Sequence, residues 1–273
     1  MNRVLTRLAD EQLRRISAKA TEKIARRWWS TLGVWVACGF PKSGTTWLAQ
    51  MLAGYLQLPN PQRYRLPIAM PSVLQAHWLP GKRTPRTLYI VRDGRDVMVS
   101  LYFYEVRLAN STMNPAAARR RRERLRRLFG PAFDPRDVTG NLPLFIEAEM
   151  LDPAWMTVSW PAHVQAWLGA DPARVSIVRY EDLRLDPVTT LAPAIERLTQ
   201  DKVDREALLQ ITQWFAYERQ ASDSRREHQQ GPVLRSGQVQ GWREYFNAAA
   251  ERAFSEAGAG VAMRLGYLSR DDS

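Results

Sequence analysis

The side chains best suited to chemistry in this chain are hydroxyls, cations and one histidine, gathered in two short stretches and the segment between them. The first stretch is Pro41-Lys42-Ser43-Gly44-Thr45-Thr46-Trp47. It follows the apolar, partly β-branched run Val34 to Phe40 and precedes a helical pattern through Leu48, Met51, Leu52 and Tyr55. A strand feeding a small-residue turn that opens a helix presents free backbone N–H groups at the positive end of the helix dipole, which favours a phosphate. Lys42 adds a mobile charge, Ser43, Thr45 and Thr46 add hydroxyl donors, and Trp47 offers a ring to stack on a base. The spacing departs from the G-x-x-x-x-G-K-[ST] of nucleotide triphosphatases, because Lys42 precedes the single Gly44. No aspartate suited to magnesium ends the next strand either.

The second stretch is Arg92-Asp93-Gly94-Arg95-Asp96, a turn after the strand pattern Thr87 to Val91. Arg92 ends the strand, and Ser100 lies two helical turns on. If the strand end loops over the helix N-terminus, both reach one further phosphate. The plainer alternative for Arg92 and Arg95 is a salt bridge with Asp93 or Asp96. Between the two stretches stands His77, in Gln75-Ala76-His77-Trp78-Leu79-Pro80. A hydroxyl is a poor nucleophile until its proton is accepted, and histidine suits that task near neutral pH. A lone histidine commonly sits satisfied in a core or on a surface. Its place between two phosphate-type turns favours the base.

The elements that must position these groups alternate in type. Strand and helix patterns recur a third time at Val175 to Arg179, then Tyr180 to Leu183, then a helix from Pro187 to Leu198. This alternation predicts an α/β fold: a single domain with a central parallel sheet flanked by helices and a P-loop-like phosphate-binding turn. Residues 3–28 read as a separate amphipathic helix, with Val4, Leu5, Leu8, Leu13, Ile16, Ala20, Ile24 and Trp28 as its apolar stripe. That stripe is expected to pack on its own domain, with a basic membrane-surface anchor as the alternative. The expected boundaries are 1–33 for this helix and 34–268 for the domain. The run Arg119 to Arg127 reads as a solvated helix face, and residues 130–153, rich in Pro, Gly and Asp, read as a loop or lid.

Composition bounds the rest. The 273 residues carry 39 Lys and Arg against 28 Asp and Glu, a net charge of +11 that favours anionic partners without choosing among them. The lone Cys38 excludes an internal disulfide framework and a cysteine-built zinc site. His77, His163 and His228 lack metal-ligand spacing, so no metal is expected. The longest apolar run, Trp28 to Phe40, falls short of the roughly 20 residues of a membrane span. No signal-peptide pattern stands at the N-terminus, so a cytoplasmic enzyme is expected.

Four segments together resemble the cytosolic-type sulfotransferase family. Pro41 to Trp47 is similar to its 5′-phosphosulfate loop, and Tyr89 to Tyr104 (YIVRDGRDVMVSLYFY) to its 3′-phosphate segment. Trp160 to Trp167 with Arg174 to Pro187 resembles its later helix and strand, and Leu234 to Phe246 (LRSGQVQGWREYF) its C-terminal R-K-G-x-x-G-D-W-K. The resemblance implies a 3′-phosphoadenosine 5′-phosphosulfate co-substrate and a small-molecule, glycan or lipid hydroxyl acceptor, with no nucleic acid. It implies that Lys42, Ser43, Gly44, Thr45 and Thr46 hold the 5′-phosphosulfate. Trp47, Tyr180 and Tyr217 would meet the adenine, and Arg92, Ser100, Arg235, Ser236 and Gly237 the 3′-phosphate. His77, in a segment like the family's K-T-H-x-P, would be the base, with Lys42 stabilising the leaving group.

This chain departs from the family at Gln75, where a Lys is usual. Asp93 stands for Asn and brings a negative charge to the phosphate turn. Ser236 and Gln240 replace Lys and Asp in the C-terminal segment. The competing readings are a P-loop-type kinase or NTPase, and a non-catalytic nucleotide- or polyanion-binding protein.

Overall fold

The structure, a computed structural model, describes residues 2–61, 69–112, 114–216 and 237–269. The chain forms two compact units whose segments alternate in sequence: 1–39, 44–91 and 166–215, then 40–43, 92–165 and 216–273.

The first unit is built on a parallel sheet of β1 (Val34–Gly39), β2 (Ser72–Ala76), β3 (Arg86–Val91) and β4 (Val175–Arg179), in the order β2-β1-β3-β4. Every residue of β1 is buried, as a central parallel strand covered on both faces requires. Strand alternation sends Trp35, Ala37, Leu88, Ile90 and Val178 to one face. There they pack with α2 (Thr45–Leu56), α7 (Tyr180–Leu185), α8 (Pro187–Thr199) and α9 (Arg205–Trp214). Val34 and Leu74 pack with Ala25, Trp29 and Leu32 of α1 (Asn2–Leu32). Tyr89 stacks on Trp167 at 5.1 Å, and the Trp167 indole donates to the Trp78 carbonyl at 3.0 Å. The α/β class and parallel sheet follow the sequence expectation, and three of the four strands lie where apolar runs put them. β2 was not anticipated, because Ser72-Val73-Leu74-Gln75-Ala76 carries only two large apolar residues.

Among the described side chains of α1, the expected apolar stripe is not the buried face. Ser17, Thr21 and Ala25, spaced four residues apart, form the buried face, while Leu13, Ile16 and Trp28 are 52%, 66% and 49% exposed. Small side chains allow the close approach that leucines would prevent. The helix also breaks at Trp28 (φ −128°, ψ 17°), which takes its last turn out of the earlier periodicity.

The second unit is helical, with α3 (Gly94–Ala109), α4 (Pro115–Phe129), α5 (Val138–Leu151), the start of α6 (Trp160–Leu168), a 3₁₀ turn (Gly241–Glu244) and α10 (Ala248–Arg264). Its core joins Tyr102 to Phe145 at 5.4 Å and Trp160 to Phe254 at 5.7 Å. Gly94 begins α3 because a Cβ there would stand 2.7 Å from the Phe254 ring. α5 lies in the stretch read from sequence as a loop or lid. Asp137 caps it by accepting from the Gly140 N–H at 3.0 Å, so turn-forming residues here mark a helix start.

The arginine run is likewise only half solvated. Helical spacing turns Arg121 and Arg124 inward with Ala118 and Leu125. Their guanidiniums meet the buried carboxylates of Glu105 at 2.5 Å and Glu149 at 2.7 Å. Arg119, Arg120, Arg126 and Arg127 keep the exposed face.

Candidate active site

In the first unit, the sheet register sets the histidine. Cys38 of β1 pairs with Ala76 of β2, so the next residue, His77, comes level with Gly39. The His77 Nδ1 lies 2.7 Å from the Gly39 carbonyl oxygen. A carbonyl can only accept, so Nδ1 carries the proton and the basic lone pair is on Nε2. Two residues earlier, the Gln75 amide oxygen accepts from the Thr46 hydroxyl at 3.1 Å. Helix α2 opens from Gly44, which is left-handed at φ 93°. Any Cβ there would fall 2.8 Å from the Tyr180 ring. The Thr45 hydroxyl is buried with no hydrogen-bond partner among the described residues. Trp47 is itself buried, its indole donating to the Phe215 carbonyl at 2.6 Å and its ring meeting Tyr180 edge-on at 6.0 Å.

In the second unit the turn 40–43 is closed by the Ser43 N–H donating to the Phe40 carbonyl at 3.1 Å. Lys42 sits in the left-handed region at φ 72°, a conformation that costs a non-glycine residue about 1–3 kcal/mol. The Ser43 hydroxyl, like that of Thr45, is buried without a partner among the described residues. Arg92 donates to the Lys42 carbonyl at 3.4 Å and to the Gln238 carbonyl at 3.0 Å, and lies 3.6 Å from Asp96. Asp96 in turn accepts from the backbone N–H groups of Gln240 at 3.0 Å and Trp242 at 2.9 Å. One buried ion pair thus ties the lysine turn to the C-terminal segment.

Residues 67–259 match the sulfotransferase domain family. The chain belongs to that family. Human Sulfotransferase 1C2 is 22% identical, over 80% of this chain and 79% of its own length. Human Sulfotransferase 2B1 is 24% identical over 80% of this chain, which spans 63% of that relative's length. Mouse sulfotransferase SULT7A1 complexed with PAP shares the fold at a TM-score of 0.61 and 19% identity, covering 86% of this chain and 87% of the other. Retinol dehydratase in complex with androsterone and the inactive cofactor PAP aligns at 0.53 and 18% identity, covering 85% and 80%.

Against this sulfotransferase frame, the expected residues separate. Lys42, Arg92 and the segment beginning at Gly237 (φ 61°) are brought together within the second unit, and Ser100 is half-buried on α3. Gly44, Thr45, Thr46, Trp47, Tyr180 and His77 belong to the first unit. Tyr217, Arg235 and Ser236 lie outside the described residues. The charge of Asp93 is committed to Arg95, whose Nε and Nη2 meet the carboxylate at 3.1 and 2.8 Å. Arg95 also covers the Trp242 ring at 3.8 Å and donates to the Tyr267 carbonyl at 2.7 Å. The plainer reading of Arg95 therefore holds.

Sequence reasoning named Asp96 only as a salt-bridge partner in the plainer alternative, which the Arg92–Asp96 pair meets at 3.6 Å, and it missed Gln238. Asp96 had a usable signal, an acid in the first turn of α3 four residues after Arg92. Gln238 had none, since it acts through its carbonyl. Burial, then Arg107 and Arg92, lowers the Lys42 pKa to about 8. Burial raises that of Asp96, against the pull of Arg92. Among the described residues no group of three or more His, Cys, Asp or Glu is placed to hold a metal ion.

Proposed function

We propose that this chain transfers a sulfuryl group from 3′-phosphoadenosine 5′-phosphosulfate to an acceptor hydroxyl. The carrying observation is a pair of buried hydroxyls without a partner among the described residues: Ser43 in the second unit, next to the left-handed Lys42, and Thr45 in the first, next to the left-handed Gly44. Buried polar groups are normally hydrogen-bonded, so two such donors in a turn that opens a helix fit a bound anion. The PAP named in the related structures supports the donor class.

In this reading the acceptor hydroxyl gives its proton to Nε2 of His77 as its oxygen attacks sulfur. The bond from sulfur to the 5′-phosphate oxygen breaks, leaving a sulfate ester and adenosine 3′,5′-bisphosphate. Lys42 stabilises the charge on the departing oxygen, with Ser43, Gly44, Thr45 and Thr46 holding the phosphosulfate. Arg92, Ser100, Arg235, Ser236 and Gly237 hold the 3′-phosphate, and Trp47, Tyr180 and Tyr217 line the adenine. Asp96 keeps Arg92 extended. This chemistry belongs to residues 34–268, built on a P-loop-like turn.

The acceptor is a hydroxyl-bearing small molecule, glycan or lipid, chosen by segments 60–85, 105–160 and 219–233, in a cytoplasmic setting. A peripheral membrane contact through residues 3–28 is favoured by one observation. Leu13 and Ile16 are exposed beside the exposed cations Lys19, Lys23 and Arg27, a pattern suited to an anionic bilayer surface. The test of function is labelled donor offered with alcohols, phenols, glycans and lipids in chelator. Label is expected on at least one acceptor class. Magnesium-dependent transfer from ATP with none from the sulfate donor would assign a kinase, and donor binding without any transfer a binding module.

A further inference from the structure

Beside the lysine turn, within the second unit, stands a column of rings and cations that the reaction above leaves unexplained. The Lys42 ammonium lies 4.2 Å from the centroid of the Tyr104 ring, and the Arg107 guanidinium 5.1 Å from the same ring. Tyr104 rests against Trp155, with centroids 5.0 Å apart and planes tilted by 39°. The Trp155 indole donates to the fully buried carboxylate of Glu105, the neighbour of Tyr104 on α3. Arg121 covers the Trp155 ring at 4.0 Å and pairs with that same carboxylate at 2.5 Å. The order is Arg121, Trp155, Tyr104, Lys42, and a buried acid clamps its far end. A ring braced in this way presents one fixed face to the lysine.

We infer that Tyr104 is a positioning residue whose ring is the resting seat of the Lys42 ammonium, from which a bound phosphosulfate draws it. The inference rests on the proposed role of Lys42 at the leaving oxygen. Lys42 is half-buried and flanked by Arg92 and Arg107, both of which oppose its charge. The electron-rich face of a ring favours the charged form without supplying a competing anion. A charge-assisted bond to phosphate is stronger than a cation–π contact, so the seat holds the side chain but does not trap it. The left-handed backbone at Lys42 directs the side chain from a fixed origin, and the ring fixes its end.

The test is NMR on the full chain labelled at lysine Cε, which has only Lys19, Lys23, Lys42, Lys82 and Lys202 to resolve. Lys42→Arg assigns the signal. In the free protein the Lys42 ε-protons are expected upfield, inside the Tyr104 ring current, and to move back when adenosine 3′,5′-bisphosphate is added. Tyr104→Phe should keep the upfield position and the rate of transfer. Tyr104→Leu should lose both, with the Lys42 titration midpoint and the alkaline limb of the rate profile moved to lower pH. The expected fall in kcat is about five- to ten-fold, with donor KM little changed. A Lys42 signal without an upfield shift in the wild type, which needs no variant, overturns the seat. So does an unchanged titration in a folded Tyr104→Leu. An upfield Lys42 signal in a protein that binds no bisphosphate and transfers nothing overturns the donor reading instead.

Discussion

His77 in the first unit and Arg92 in the second are each oriented by backbone carbonyls, yet their surroundings are opposite in kind. His77 follows a strand held by apolar contacts, and its bond to the Gly39 carbonyl comes from sheet register. Arg92 sits among Asp96, Asp93 and Arg95, all buried, and its partners are carbonyls of two distant segments. Truncating an apolar contact costs transfer and cavity energy that neighbours can partly recover by relaxing, whereas a buried ion pair that loses a partner leaves a charge stranded. The second region is therefore expected to be far less forgiving of substitution than the first.

Removing Asp96 should be the harshest test of this contrast. Asp96→Ala strands Arg92 and frees the N–H groups of Gln240 and Trp242, at a cost of about 3 kcal/mol in urea unfolding. Asp96→Asn keeps one acceptor and should lose less. An Ala variant within error of wild type would dissolve the contrast. Next, Arg92→Ala should weaken a 3′-phosphorylated nucleotide about 10- to 100-fold by calorimetry, sparing its 3′-dephospho analogue. Equal losses would remove the 3′-phosphate assignment. In the first unit, Gly44→Ala meets the Tyr180 ring and an unsuitable φ, and should cost about 1–3 kcal/mol. Pairing it with Tyr180→Ala relieves the clash but not the backbone, so partial recovery separates the two causes.

The smallest effect concerns pH. Lys42 titrates at about 8 in the folded chain against 10.5 ordinarily. Between those values the unfolded chain binds more protons, so stability rises with pH, and the full penalty of burying the charge is felt below about 8. Lys42→Met should thus unfold at higher urea than wild type at about pH 7, with the gap closing towards about pH 10. A gap that widens with pH would contradict the burial of the charge.

What the sequence revealed follows the same division. The strands β1, β3 and β4 and the turn after β1 were legible because apolar runs and residue types announce them. β2 was not, carrying only two large apolar residues, nor was α5, whose flanking Asp and internal Gly and Pro read as loop signals. The inner face of α1 was misread because small residues, which carry no hydrophobic signal, do the packing. The ties that hold the second unit together run between segments up to 172 residues apart, through carbonyls and N–H groups common to every residue. No local pattern encodes such a partner.

The central claim is that His77 accepts the acceptor's proton in sulfuryl transfer from the 3′-phosphorylated donor. The most direct measurement compares wild type with His77→Ala for labelled transfer to an acceptor found in the screen, alongside calorimetry with adenosine 3′,5′-bisphosphate. The account predicts unchanged nucleotide affinity and a transfer rate lowered by about 10²- to 10⁴-fold. Transfer at the wild-type rate in His77→Ala, with nucleotide bound equally well, would contradict it.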